Sequence, residues 1–173
     1  MRLFFLLSIS ILIASCTHMT KLSEERISGK KNFIFVRPFA VENAPPEVGK
    51  LTSGKFFAQL ESQDFFSGRD GKTYSFDFYM GQPCPTGYTC YYITGSVMDF
   101  EYQTGCCGND GVEARTNIKF WNDITKTPLF EISEWNNEIF EPEDTSRLDA
   151  MEMLAEDTAQ TLVDALLKEL SRN

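Results

Sequence analysis

Histidine is nearly absent from this chain. The single one, His18, stands two residues after Cys16 in a polar stretch near the amino terminus, a poor position for a general base. Paired-histidine metal motifs are thereby excluded, and neither a nucleophile elbow nor a phosphate-cradling glycine loop takes their place. Positive charge is scarce as well: 16 Lys and Arg face 25 Asp and Glu, for a net charge of −9. Binding along a phosphate backbone needs clustered cations, so nucleic acid is not an expected partner. Internal repeats and low-complexity tracts are missing too. With no motif for catalysis, a cofactor or a resident metal, the expectation is a non-enzymatic protein.

Aromatic and acidic residues are what the chain has in quantity. Aromatics make up 13% of it and include 15 Phe, a composition that supports a packed domain rather than a disordered one. The acidity is uneven: from Glu131 to Asn173 there are 12 acidic and three basic residues, whereas residues 16–130 hold 13 and 12. A charged helix face is ordinarily a solvated one; the alternative is a docking surface for a basic partner.

At the amino terminus Arg2 precedes an apolar stretch, Leu3 to Ile13, broken only by Ser8 and Ser10. Its length suits the core of a secretory signal and falls short of the roughly 20 residues of a spanning helix. The stretch ends in ILIASC, which resembles the lipobox of bacterial lipoproteins: a branched aliphatic residue, two small residues, then the cysteine that is acylated. The resemblance implies cleavage before Cys16 and lipid chains on that residue. Each buried methylene contributes about 0.8 kcal/mol, so two or three acyl chains anchor a protein durably. Thr17 stands where retention at the inner membrane typically uses Asp, which points to the periplasmic face of the outer membrane. An ordinary secretory signal or an uncleaved anchor is the rival reading. The expected organisation is a signal peptide over residues 1–15, a lipidated flexible tether over 16–31, and a single periplasmic domain over 32–173.

Within that domain, Asn32 to Phe39 is a mostly apolar run interrupted by Pro38, typical of a buried strand. Pro45, Pro46 and Glu47 open a helix whose inner face takes Val48, Leu51, Phe56 and Leu60, with Gly49 and Gly54 as weak points. Tyr74, Phe76, Phe78 and Met80 share one face of the next strand. Tyr91 to Gln103 reads as a long strand with Tyr92, Met98, Phe100 and Tyr102 on one side, and Gly95 marks a bulge or a close approach. Val112, Ala114, Thr116, Ile118 and Phe120 alternate on a third strand, and Leu129 to Phe140 forms a fourth; these last three make an antiparallel meander. Ser146 and Asp149 stand at capping-box spacing before a helix with Leu148, Met151, Leu154, Leu162, Leu166 and Leu170 along one face. The predicted fold is α+β: a mostly antiparallel sheet with two main helices packed on one face.

That layout, with the pieces FIFVRPF, YYITGSVMDFEY and ARTNIKFWNDITKTPLFEI, is similar to several envelope lipoprotein families. It resembles the auxiliary lipoproteins of ABC-type lipid transport systems and the curli-secretion and flagellar outer-membrane lipoproteins. The resemblance covers roughly residues 33–170 and transfers no catalytic residue. Curli-type pores need extra membrane-crossing hairpins, and no spare strand pair of that length is present, so the resemblance implies a lipid-anchored soluble domain rather than a pore.

Four cysteines remain besides Cys16: Cys84, Cys90, Cys106 and Cys107. Four allow three pairings in an exported protein. A continuous strand between Cys90 and Cys106 separates them by something on the order of 40–50 Å at about 3.3 Å per residue. Bonded cysteines need Cα atoms within about 7 Å, which favours the local pairs Cys84–Cys90 and Cys106–Cys107. Free thiols or a bond to another chain are the alternatives for the adjacent pair, and C-x5-C with C-C is a poor zinc spacing. Paired acids can hydrolyse glycosides, but Asp99 with Glu101 and Glu131 with Glu134 alternate with core positions as solvent-facing residues do. Trp121 and Trp135 read as core or sheet-surface residues.

The functional expectation is therefore an accessory or scaffold protein in envelope assembly, transport or a surface machine. Its partners would be the membrane, through the acyl chains, and one or more envelope proteins; the sequence carries no sign of oligomeric state. The alternative is a carrier that encloses a lipid or another small apolar molecule between helix and sheet.

Overall fold

The computed structural model describes residues 16–63, 66–105 and 109–172. Strand β1 (Cys16–Lys21) comes first, followed by β2 (Lys31–Val36), β3 (Ala40–Glu42) and helix α1 (Pro46–Glu61). After β4 (Phe66–Ser67) and β5 (Thr73–Phe78) come three long strands: β6 (Thr89–Thr104), β7 (Asp110–Asn122) and β8 (Pro128–Phe140). Helix α2 (Arg147–Leu170) closes the chain. The strands form one sheet in the order β1-β8-β7-β6-β2-β5-β4, with β3 pairing β6.

The fold is α+β, with a mixed sheet rather than the mostly antiparallel one expected. Strands β6, β7 and β8 make the antiparallel meander, but β2 pairs both β5 and β6 in parallel, as does β3 with β6. The reason lies in the connections. Helix α1 carries the chain back along the sheet before β5 begins, so β5 must run in the direction of β2. Residues 79–88 then return from the Val36 end of β2 to its Asn32 end, and β6 starts parallel on the other side.

Alternation along the strands places the core. Val112, Ala114, Thr116, Ile118 and Phe120 of β7 are all buried, in phase with the sequence pattern. On β6 the inward residues are Tyr91, Ile93 and Val97, not Tyr92 and Met98. A bulge between Met98 and Glu101, with Asp99 at φ 52°, then shifts the phase by one, and Phe100 and Tyr102 turn to the core. The alternation at the far end of the strand therefore does not run through to Tyr92 across this break in phase. Met80 lies beyond β5 and is 82% exposed, and Leu148, in the first turn of α2, is 58% exposed.

Both helices pack on the sheet and on each other. Phe56 and Leu60 of α1 meet Leu162 and Leu166 of α2 in a core with Tyr74, Tyr91 and Ile93, all without solvent exposure. Ser146 caps α2, accepting the Asp149 backbone N–H at 3.2 Å. Gly49, a weak point for helix propensity, is a packing requirement: a Cβ there would stand 2.4 Å from Val41 Cγ1 on β3. Gly95 marks a close approach, since a Cβ would fall 2.4–2.5 Å from three atoms of the Phe39 ring.

Residues 16–31 do not form the free tether that their polarity suggests. Cys16–Lys21 pairs antiparallel with β8 along its whole length. Leu22 and Ser23 donate backbone N–H bonds to the Leu129 carbonyl, Ile27 is buried, and the Ser28 N–H reaches the Tyr91 hydroxyl at 3.3 Å. An edge strand needs only backbone partners, so a polar sequence docks as readily as an apolar one.

Candidate functional site

The amino-terminal edge comes first. Cys16 stands in register with Trp135 of β8, and Trp135 with Arg115 of β7. The Arg115 guanidinium lies 5.0 Å from the Trp135 ring centre and 3.7 Å from the Asp99 carboxylate. One residue on, the Thr17 hydroxyl bonds to the Glu134 carboxylate. Glu134 is fully buried, which corrects its reading as a solvent-facing acid: on β8 the inward positions are Phe130, Ile132, Glu134 and Asn136. Its alternation partner Glu131 is on the other face, 3.8 Å from Lys119. The two acids thus sit on opposite sides of the sheet and form no pair. Asp99 and Glu101 are both exposed at the bulge. His18 is an exposed residue of β1 opposite Ser133.

The acidic face of α2 is partly neutralised from within. Lys55 of α1 bonds Glu152 at 3.0 Å and Glu156 at 2.8 Å, which raises the lysine pKa and lowers that of Glu156. Asp157 and Asp164 remain exposed. Burial raises the pKa of Glu138 on β8, and neighbouring Asp157 adds to the shift.

Cys84 and Cys90 are joined by a disulfide, with Cα atoms 5.9 Å apart. Cys106 and Cys107 lie outside the described residues. The disulfide closes the crossover of residues 79–88, and that crossover covers the sheet face opposite the helices. There Phe35 of β2, completely buried, packs on Phe33 at 4.9 Å, Tyr92 at 5.4 Å and Tyr79 at 5.6 Å between ring centres, while Tyr88 meets Phe33 at 5.6 Å. The sheet is therefore apolar on both faces along β2, which explains the unbroken FIFV run.

Beside this aromatic layer opens a surface cavity of about 270 Å³ lined by Arg37, Tyr92, Thr94, Trp121, Asn122 and Lys126. Arg37 follows β2 directly, and its backbone N–H bonds the Ile93 carbonyl at 3.0 Å. Its guanidinium carbon stacks 4.4 Å from the Tyr92 ring centre and 4.9 Å from that of Tyr79. Tyr92 and Trp121 are cross-strand partners, and the indole N–H of Trp121 donates to Thr94 Oγ1 at 2.9 Å. Asn122 holds the β7–β8 turn, accepting the Ile124 N–H at 2.8 Å and the Thr125 N–H at 3.3 Å, while its amide donates to Glu25. That turn puts Lys126 Nζ 5.7 Å from the Tyr92 ring centre, ion-paired to Asp123. Burial raises the Tyr92 pKa, Asp123 adds to the rise, and Arg37 opposes it. Sequence reasoning passed over this site because its members are 89 residues apart at the extremes. The available signal was a cation ending an otherwise apolar strand, in FIFVRPF.

Among the described residues no group of three or more His, Cys, Asp or Glu is placed to hold a metal ion, and no helix is long and apolar enough to cross a membrane.

No family model matches the chain, and no curated protein matches it in sequence. Solved structures do share its fold. PelC from Paraburkholderia phytofirmans, solved as a dodecamer, is similar with a TM-score of 0.53 at 11% identity, over 92% of this chain and 100% of its own. A hypothetical protein of Chlamydia trachomatis gives 0.54 at 11% identity, over 83% and 99%. A candidate lipoprotein from Caulobacter crescentus gives 0.51 at 10% identity, over 78% and 90%. At these identities the likeness is one of fold: this chain has the α+β architecture of those proteins.

Proposed function

We propose that this chain is a lipid-anchored, non-enzymatic accessory protein of the bacterial envelope, held by acyl chains on Cys16 at the periplasmic face of the outer membrane. The observation that carries the reading is the ILIASC pattern after a short apolar run. A fold held in common with a candidate lipoprotein supports it. The position of Cys16 as the first residue of β1 gives the anchor a consequence: no slack separates lipid from domain, and the β1–β8 edge stands directly at the bilayer. Acylation is tested by mass spectrometry of the protein purified from bacterial membranes. The expected result is an acyl mass on an amino-terminal Cys16 and release from the membrane fraction on Cys16→Ala. A protein without acyl mass that stays soluble after cell breakage overturns the placement.

Its role is that of a scaffold in an assembly of the kind served by the lipoproteins of ABC-type lipid transport, curli secretion or flagella. The tightly filled helix–sheet interface supports a scaffold over a carrier that holds an apolar molecule there. The exposed acids of α2, Asp157 and Asp164, are the proposed contact for a basic partner surface. Photo-crosslinkers placed at these two positions in living cells are expected to recover one and the same envelope complex. Stoichiometric lipid in organic extracts of the purified protein, with no repeated crosslink, overturns the scaffold role in favour of the carrier.

A further inference from the structure

We infer that β1 is a releasable strap: it lifts from the edge of the otherwise folded sheet, and its release sets how far the anchored domain stands from the bilayer. Little holds it down. β1 ends the sheet and pairs with β8 on one side only. Residues 17–22 are all exposed, with Met19 at 38% and Leu22 at 40%, so no side chain described in this strand enters the core. Beneath it, a surface groove of about 350 Å³ separates Thr17 and Met19 from Thr161, Asp164, Ala165 and Lys168 of α2. The strand therefore spans a gap instead of packing on the helix. Backbone hydrogen bonds retain such an edge; on release water replaces them, and the freed residues regain conformational entropy. Elements with few buried apolar contacts open locally far more readily than the whole domain unfolds.

Thr17 is the catch. Its hydroxyl donates to the carboxylate of Glu134, which is wholly buried on the inner face of β8. Lifting β1 withdraws that donor and lets water reach the carboxylate, which water solvates well. The next stretch is built differently. Glu25 accepts from the Asn122 amide and, at 3.0 Å, from the Thr125 hydroxyl; Ile27 is 2% exposed, and its carbonyl accepts from Lys72 Nζ at 2.8 Å. Residues 25–28 are thus fixed to the turn after β7 and to the core. Between the two stretches, the Leu22 and Ser23 N–H groups share a single acceptor, the Leu129 carbonyl, and Glu24 is exposed, which puts the hinge there. The strap is then residues 16–24, which span about 30 Å when extended. Docked, it seats the β1–β8 edge at the bilayer; released, it lets the domain reach about 30 Å outward to a partner. That change in reach rests on the acylation of Cys16 proposed above, whereas the lifting of β1 does not.

The test uses the full chain, purified from bacterial membranes and placed in vesicles of phosphatidylethanolamine and phosphatidylglycerol. In amide exchange, the slowest amides of residues 17–22 are expected to exchange about a hundredfold faster than the slowest of β7, with the Ser28 N–H slower than any of residues 17–22. Thr17→Val keeps the shape and removes the donor; it should speed exchange in residues 17–22 about threefold or more, with β7 and the melting temperature unchanged. Trypsin reads the same opening at Lys21, whose peptide bond is shielded while β1 is docked. Cleavage there should free a folded domain from the vesicles, about threefold faster or more in Thr17→Val. Joining the strands with His18→Cys and Ser133→Cys, which stand opposite each other, should slow that release about tenfold, and a reductant should restore it. Amides of residues 17–22 as slow as the slowest of β7, or no cut after Lys21 below the melting transition, overturn the strap. An unchanged rate in Thr17→Val overturns the part given to Thr17. A soluble protein without acyl mass overturns the anchor instead, and exchange in that soluble chain still decides whether β1 lifts.

Discussion

One added methyl group should act in opposite directions at two glycines. At Gly54, an exposed position inside α1, a Cβ meets nothing within 4 Å. Replacing Gly by Ala there removes unfolded-chain freedom and improves helix propensity, which stabilises by about 1 kcal/mol. At Gly95 of β6 the same atom lands 2.4–2.5 Å from three carbons of the Phe39 ring, whereas relaxed contacts begin about 1 Å farther out. Phe39 cannot retreat freely. It is 8% exposed, and its ring centre is 5.4 Å from that of Phe56, which is wholly buried. Overpacking of this kind costs about 1–3 kcal/mol. For a domain of this size each kcal/mol moves the melting temperature by about 2–4 °C. Thermal unfolding of the purified protein should therefore place Gly54→Ala a few degrees above the parent and Gly95→Ala below it by up to about 10 °C. Trimming the obstacle, in Gly95→Ala with Phe39→Leu, should recover part of the loss by restoring volume. A Gly95→Ala variant as stable as the parent would refute the close approach of Phe39 to β6.

Other outcomes follow from the same geometry. Removing the disulfide with Cys84→Ser and Cys90→Ser frees a loop closed over a sequence separation of 6 residues, and chain entropy sets the cost at about 2 kcal/mol; amide exchange should rise across residues 79–90 but not in β7. Phe35→Ala should cost about 3–5 kcal/mol in denaturant unfolding, although the residue faces away from both helices, because the crossover buries it completely. Burial pushes the Tyr74 hydroxyl up to about 12, with Tyr91 adding to the shift. A folded pKa above the unfolded value of 10 means that the neutral tyrosine's contribution is whole below pH 10 and is lost as pH rises towards 12. The loss is of order 2–3 kcal/mol. Alkaline unfolding should accordingly become shallower over that window in Tyr74→Phe; equal slopes in both proteins would contradict the burial of this hydroxyl.

Much of the architecture was legible because it rests on local periodicity. The five alternating residues of β7 and the Leu stripe of α2 needed only the geometry of one strand and one helix. Errors arose where two segments had to be known together. Direction within the sheet depends on what each connection does in space, and the sequence of residues 79–88 does not say that they recross β2. A single bulge at Asp99 reversed the parity of β6, and nothing in TGSVMDFEY marks the shift, because Asp is unremarkable at either phase. Alternation suggested a solvent-facing Glu134, whereas on β8 it is in phase with the inward Phe130 and Ile132 and meets the hydroxyl of Thr17.

By itself, then, the sequence determined what is written in runs of adjacent residues: a short apolar run before Cys16, strands and helices with their spacing, and a surplus of acid near the carboxyl end. Tertiary structure alone decided the rest. It docked the polar segment after Cys16 as an edge strand, turned glycines 49 and 95 into contacts, and laid an aromatic layer over the far face of the sheet. It also brought Arg37, Tyr92 and Lys126 around one cavity. The physical reason is range: backbone and helix periodicities act over a few residues, whereas strand pairing, steric contact and the meeting of charges depend on positions that only the folded chain brings near each other.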